Sequence, residues 1–529
     1  MNPDATHGSL RLFLVGFALA VSVVACAQPP LTCAQLPSLD LPELRILAAE
    51  EVTKDAAEEV TGDDAAAASL PAHCKVSGVI GSEINFELLL PADWNGKFVM
   101  GGGGGFVGSV QNQAQTPNLA GGTALEKGYA TAGTDTGHSG STIEAGWALD
   151  NQERELDFGY RAVHRTTDAA KQIIRTYYDG DIAHSYFMGC SRGGGQAMVE
   201  SQRYPADFDG IIAGVPIYNW NGQGAAYIHE LQAIYPDPND LSSPVITAAN
   251  RALLQSAILD ACDSLDGLAD GLISDPRSCP FTTASLPRCR HDVAAEGCVT
   301  QAQLAAIDAV YDGLEVDGKK IFPGFPFGDE NDRGGWDRWI TGGKDAFGPG
   351  IPSLHFAFGT QMYKYLVFDD PDWDYSTYDF SSYEQDTARA ASFLNATSTD
   401  LSDFKEAGGK LIMWHGWSDP ALTALATIDY YEAVETVDTQ IRDYYRLFLM
   451  PGVLHCGGGS GPSRVDWLRA IETWVEEGKA PDSLLATHVG EDRVVDRSRP
   501  LCPYPQVAVY GGSGSPDEAA SFSCRNPVE

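Results

Sequence analysis

The segment "YFMGCSRGGGQAM" (186–198) sets Ser191 inside a G-x-S-x-G pattern, with Gly189 and Gly193 as its fixed glycines and Cys190 directly before the serine. A strand entering this pattern and a helix leaving it would carry the hydroxyl on a sharp turn, exposed for attack on an acyl carbon. A serine hydroxyl is a weak nucleophile. It needs a general base, and the base needs a carboxylate to fix its tautomer. Two downstream segments supply them in the chain order Ser, Asp, His that goes with such an elbow: "HGWSDP" carries Asp419 and "PGVLHCGGG" carries His455. His415 is the rival base, but it precedes Asp419; its open roles are lining the pocket and packing beside it. His138, His164, His184, His229 and His355 fall where structural or surface roles are expected.

Acyl transfer also needs two backbone N–H groups aimed at the developing oxyanion. One is expected from the residue after the nucleophile, Arg192. The other is expected from the loop "GGGGGFVG" (101–108), with Gly105 as the choice and Gly104 beside it. Glycines there let the backbone approach a substrate closely. A phosphate-binding loop is the competing use of such glycines, but the Walker lysine and the ribose-binding acid are missing.

These residues must be held by regular elements. "KFVM" (97–100), "YATAGTD" (129–135), "HSYFMG" (184–189), "GIIAG" (210–214), "KLIMW" (410–414) and "YRLFLM" (445–450) read as strands. Helical periodicity covers 160–178, 194–204, 421–436 and 463–477. The alternation predicts an α/β fold, a mostly parallel sheet with helices on both faces. From about 217 to 395 the rhythm breaks into Asp-, Pro-, Trp- and Gly-rich sequence with one clear helix near 300–313, which reads as a large insertion. Trp220, Trp414 and Trp417 are candidate aromatic pocket walls.

Inside the insertion, "CDSLDGLADGLISD" (262–275) repeats Asp263, Asp266 and Asp270 at three- and four-residue intervals. These are hard oxygen ligands in a compact loop, without the spacing or terminal Glu of an EF-hand. The expectation is a structural Ca2+ held by these carboxylates and the carbonyls of Leu268 and Leu272. No organic cofactor is expected.

The chain has 529 residues, of which 43% are hydrophobic, 10% aromatic and 20% charged, an ordinary globular composition. The net charge of −37 disfavours a nucleic-acid partner, which a polyanion would repel. Leu12 to Ala25 is an apolar run of 14 residues after Arg11, short for a membrane span and suited to a signal peptide. Its end, "VVACAQ", matches both an A-x-A cleavage site and a lipobox with Cys26 as the lipidated residue. No later segment reads as transmembrane. Apart from Cys26 there are ten cysteines and no C-x-x-C spacing, which favours disulfides over zinc in an exported protein.

Taken together, Cys190-Ser191, Asp419 and His455-Cys456 resemble the C-S … D … H-C set of the tannase and feruloyl esterase family of secreted α/β-hydrolases, and the likeness runs from about Cys33 to Cys524. The resemblance implies a Cys190–Cys456 disulfide joining the nucleophile's turn to the histidine's loop, and further bridges Cys33–Cys74, Cys262–Cys279, Cys289–Cys298 and Cys502–Cys524. It implies a lid domain carrying the calcium loop. Stretches such as "PAHCKVSG", "CDSLDGLADG" and "SRPLCPYPQ" are similar to the branch that hydrolyses terephthalate monoesters. The pocket departs from that branch at Gly104, Arg192 and Leu422, where it carries Ser, Glu and Phe, and Lys364 falls near its substrate-gripping lid arginine.

The resulting expectation is an α/β-hydrolase core with a large inserted lid, stapled by disulfides. Residues 1–27 form the signal peptide, 28–216 and 396–529 the two parts of the core, and 217–395 the lid. The function expected is hydrolysis of esters of aromatic carboxylic acids by a secreted or periplasmic serine esterase. Its substrate pocket would include Gly104, Trp220, Lys364, His415 and Leu422. Terephthalate-monoester specificity, a non-catalytic calcium-stabilised binding protein and an exopeptidase on the same core are the alternatives.

Overall fold

The computed structural model describes residues 31–53, 70–343 and 345–526. The apolar run, both readings of its end and Cys26 lie outside these residues, as does most of the Ala/Glu/Asp-rich stretch after Thr53.

Nine strands build one sheet: β1 (Leu44–Val52), β2 (His73–Ile80), β3 (Ile84–Pro91), β4 (Lys97–Gly101), β5 (Ala130–Thr134), β6 (His184–Cys190), β7 (Gly210–Gly214), β8 (Lys410–Gly416) and β9 (Tyr445–Met450). Their order across the sheet is β1-β2-β3-β5-β4-β6-β7-β8-β9. The first three strands are antiparallel, and β3 runs antiparallel to β5. From β5 to β9 every neighbouring pair is parallel. Two unrelated loops therefore leave the same sheet edge, where Cys190 pairs with Gly214 and Gly416 with Met450.

Nine helices matter for the site: α1 (Ala162–Tyr178), α2 (Arg192–Arg203), α3 (Trp220–Ile234), α4 (Ala248–Cys262), α5 (Gln301–Asp312), α6 (Leu354–Met362), α7 (Tyr383–Leu394), α8 (Ala424–Val437) and α9 (Trp467–Glu477). Successive strand residues point to opposite faces, and two cores result. Phe98, Met100, Phe187, Ile211, Met413 and Leu447 pack with α1, α2 and α8 on one side. Val99, Met188, Ile212, Ile412 and Phe448 pack with α9 on the other. Burial on both faces is why the parallel strands read as continuous apolar runs.

The structure adds an edge strand that the sequence did not announce and departs from the sequence expectation in the insertion. Residues 44–52, part of a stretch rich in helix-forming Ala and Glu, form the edge strand β1, held by pairing to β2 and by the nearby Cys33–Cys74 disulfide. Cross-strand pairing overrides local propensity there. The insertion holds α3, α4, α6 and α7 besides the expected α5. α3 is buried along most of its length, the polar Asn221, Gln223 and Glu230 included, so it has no amphipathic period to read. All ten cysteines of the described residues are bonded, in the five pairs that the family resemblance implied. No helix among the described residues is long and apolar enough to cross a membrane.

Candidate active site

β6 ends at Cys190 and α2 begins at Arg192, so Ser191 alone makes the turn. It does so at φ 63° and ψ −119°, a region that costs a side-chain-bearing residue on the order of 1–3 kcal/mol. A Cβ on Gly189 would stand 2.6 Å from the Gly193 backbone, so the turn has room only for glycine there. The turn is held from three sides. Ser191 N–H donates to the Gly214 carbonyl at 3.0 Å. Cys190 N–H donates to Gln113 Oε1 at 2.8 Å, and Gln113 Nε2 donates to the Cys190 carbonyl at 3.2 Å.

Asp419 lies on the loop after β8, buried, with Oδ1 accepting the N–H groups of Ala421 (2.7 Å) and Leu422 (3.1 Å). His455 lies on the loop after β9. Its Nδ1 is 2.9 Å from Asp419 Oδ2 and 3.1 Å from Oδ1. A carboxylate that close fixes the proton on Nδ1 and leaves Nε2 as the basic nitrogen. Burial acts to raise the Asp419 carboxyl. The charge and hydrogen bond of His455, with His415 and the Leu422 N–H behind them, outweigh it and hold the acid below its ordinary range. The Trp339 ring packs edge-on against the imidazole, with centroids 4.6 Å apart.

Ser191 and His455 line one cavity, together with Gly105, Trp220, Trp339 and Leu422. Gly105 has φ +55°, and a Cβ there would lie 2.2 Å from the Thr142 carbonyl oxygen. The N–H groups of the two preceding glycines are spent: Gly103 donates to Gln196 Oε1 at 3.0 Å and Gly104 to Gln111 Oε1 at 2.8 Å. Among the described residues none accepts from the Gly105 N–H. Arg192 is the first residue of α2, where a helix leaves its N–H groups unpaired. Its side chain is turned away into the interior. The guanidinium donates to the carbonyls of Phe158 and Gly159 and lies over the Phe158 ring, 4.3 Å from its centroid. Burial pushes its pKa down to about 9.

Other expected pocket residues lie elsewhere. His415 is buried, with Nδ1 2.8 Å from Thr427 Oγ1 and Nε2 2.8 Å from the Leu422 carbonyl. Both ring nitrogens are engaged and burial lowers its pKa, so it packs as a neutral support beneath the Asp419 loop and does not line the cavity. Lys364 and Gly104 are also outside the lining. Lys364 is half-buried just after α6, whose Phe358 and Met362 line the cavity in its place. Trp414 is stacked on Trp467 in the core, and Trp417 borders a separate cavity beside the acidic loop.

Several contributors carried no sequence signal. Gln111, Gln113 and Gln196 are polar residues with no motif of their own, and Trp339 and Tyr227 sit in the unreadable insertion. Tyr227 donates from its hydroxyl to the Ala421 carbonyl at 2.7 Å, tying α3 to the Asp419 loop. "WDRWI" around Trp339 was the one available hint, as an aromatic cluster among polar residues.

In the acidic loop, Asp263 accepts from the N–H groups of Asp270 and Gly271, and Asp266 from Leu268 N–H and the Ser274 hydroxyl. Asp270 accepts from Leu272 N–H and is ion-paired with Arg499 at 2.6 Å. Burial raises the Asp266 carboxyl, and the like charges of Asp270 and Asp263 add to the rise. The metal-capable groups that approach within 4.8 Å of one another, among the described residues, are a different set: His164, Asp168 and Asp207.

A family model described as "Tannase and feruloyl esterase" matches residues 69–525. The chain is 35% identical to mono(2-hydroxyethyl) terephthalate hydrolase of Piscinibacter sakaiensis, covering 88% of this chain and 86% of that one. It is 30% identical to feruloyl esterase C of Talaromyces stipitatus, covering 84% and 83%. The crystal structure of feruloyl esterase B from Aspergillus oryzae superposes with a TM-score of 0.80 at 26% identity, over 93% of this chain and 99% of that one.

Proposed function

The chain belongs to the tannase and feruloyl esterase family of carboxylic ester hydrolases, and we propose that it is an exported serine esterase acting on esters of aromatic carboxylic acids. The observation that carries this is the His455–Asp419 pair opening on the cavity that also holds Ser191 and Gly105. Nε2 of His455 takes the Ser191 proton as Oγ attacks the ester carbonyl carbon. The N–H groups of Arg192 and Gly105 receive the oxyanion. Asp419, kept ionised, stabilises the imidazolium, which then protonates the departing alcohol. Water, deprotonated by His455, attacks the acyl-enzyme; the tetrahedral adduct collapses to release the acid and return the proton to Ser191.

An aromatic acyl group is favoured by the walls: Trp220, Trp339, Phe358 and Met362 face the nucleophile, with no carboxylate in the lining. Terephthalate-monoester specificity is supported by the likeness to the Piscinibacter enzyme. The five disulfides support an oxidising compartment, and the acidic loop 263–272 is proposed to hold a structural Ca2+. The decisive measurement compares kcat/KM on methyl ferulate, methyl gallate and mono(2-hydroxyethyl) terephthalate, in the native protein and in Lys364→Ala. Hydrolysis of none of them by a protein with Ser191 intact rejects the aromatic reading. A loss in Lys364→Ala confined to the terephthalate ester would assign Lys364 to its free carboxylate.

A further inference from the structure

Asp329 belongs to the segment inserted between β7 and β8, yet its side chain reaches both loops that supply the proposed base and its partner. Its Oδ2 accepts the hydroxyl of Ser418, the residue directly before Asp419. Its Oδ1 accepts the hydroxyl of Ser460 at 3.4 Å, five residues beyond His455 on the same loop. We propose that Asp329 is a positioning residue for ester hydrolysis, clamping the Asp419 loop and the His455 loop to each other from the inserted segment. The inference rests on the Ser191–His455–Asp419 reading above.

The clamp is itself anchored. Gly328 N–H donates to Glu330 Oε1 at 2.7 Å, and the Tyr311 hydroxyl on α5 donates to the same oxygen at 2.8 Å. Asn331 N–H donates to Gln255 Oε1 on α4 at 2.7 Å, and Gln255 Nε2 donates to Asp332 at 3.0 Å. Residues 328–332 are thus pinned to two helices of the insertion, so the carboxylate is a fixed point. Asp329 is buried and sits at φ +61°, where a non-glycine residue is strained. Burial raises its carboxyl, and Asp332 and Glu330 add repulsion. A carboxylate kept at such a place destabilises the fold, which is expected of a group retained for its function.

The geometry that Asp329 governs is the His455–Asp419 pair. A displacement of about 1 Å in a catalytic group costs up to roughly 10²-fold in rate. The test is kinetic, in the full-length protein. Asp329→Ala should lower kcat about 10-fold or more with KM nearly unchanged and no fall in Tm. Asp329→Asn should recover most of kcat, since its amide can accept from Ser418 and donate to Ser460. Ser418→Ala added to Asp329→Ala should cost nothing further. An unchanged kcat in Asp329→Ala, a loss matched by a falling Tm, or losses that multiply in the double variant would overturn the clamp. Ser191→Ala tests the underlying reading separately, because it should abolish turnover whatever Asp329 does.

Discussion

Cys190 and Cys456 are joined across 266 residues of sequence, with Cα atoms 5.9 Å apart, and each is the immediate neighbour of a residue of the proposed triad. The bond therefore ties the turn that carries Ser191 to the loop that carries His455. Closing so long a loop removes up to about 5 kcal/mol of entropy from the unfolded chain in the loop-closure picture. Cys190→Ala with Cys456→Ala should lower Tm and kcat together. Wild-type values of both, measured by calorimetry and steady-state kinetics, would show that the bond serves neither purpose.

Ser191→Ala removes the nucleophile while leaving the turn's hydrogen bonds to Gly214 and Gly195 in place. Turnover should fall at least ~10³-fold, with the circular-dichroism spectrum unchanged. Labelling of the wild type, but not of the variant, by a fluorophosphonate probe checks the same assignment at the level of the hydroxyl.

The pH dependence of stability should carry the mark of Asp329. Its carboxyl is raised from an ordinary 3.8 to about 7. Below pH 3.8 both folded and unfolded states hold the proton, and the group has no effect. Between the two values the unfolded chain is ionised while the fold keeps its proton, so stability falls as pH rises; above about 7 the loss is complete. At about 1.4 kcal/mol per unit, the full cost is on the order of 4 kcal/mol. Asp329→Asn lacks this slope. Its Tm should gain on the wild type steadily from pH 4 to about pH 7 and hold that gain above it, and a gap that stays constant from pH 4 to pH 7 would rule the effect out.

The acidic loop predicts a response to chelation. At a calcium concentration 100 times Kd, binding to the folded state adds about 2.7 kcal/mol. EDTA should lower Tm by several degrees, and calcium should restore it. In Asp266→Asn the chelator should have a much smaller effect. A wild-type Tm indifferent to EDTA would leave the loop as an acidic turn held by its own hydrogen bonds.

The parts of the molecule that were legible in the sequence share a physical cause. Gly210–Gly214 is a strand buried on both faces and apolar throughout, and Tyr445–Met450 is apolar but for Arg446, so both runs declare themselves. Ser191, Asp419 and His455 stand just beyond strand ends, where function is carried on loops over a rigid sheet. The insertion gave no such signal. α3 is enclosed nearly all round, and Trp339, Phe358 and Met362 reach the cavity from a segment without periodicity. His415 shows the limit of placement by position alone. It lies at the right strand end, but Thr427 and Leu422 claim both its ring nitrogens. Only distances could separate Gly104 from Gly105, because the deciding feature is where the Gln111 side chain spends its acceptor.

The insertion leaves the sheet after β7 and returns at β8, and these two strands are hydrogen-bonded neighbours. The sheet does not need the intervening 195 residues to keep its register, while the cavity takes Trp220, Trp339, Phe358 and Met362 from them. The same segment thus supplies the cavity walls and, through Asp329, the support of the Asp419 and His455 loops. A graft of a relative's insertion between Gly214 and Lys410 would exchange the substrates accepted while leaving the proton-transfer chemistry where it is, provided the incoming segment brings its own acceptor for Ser418 and Ser460.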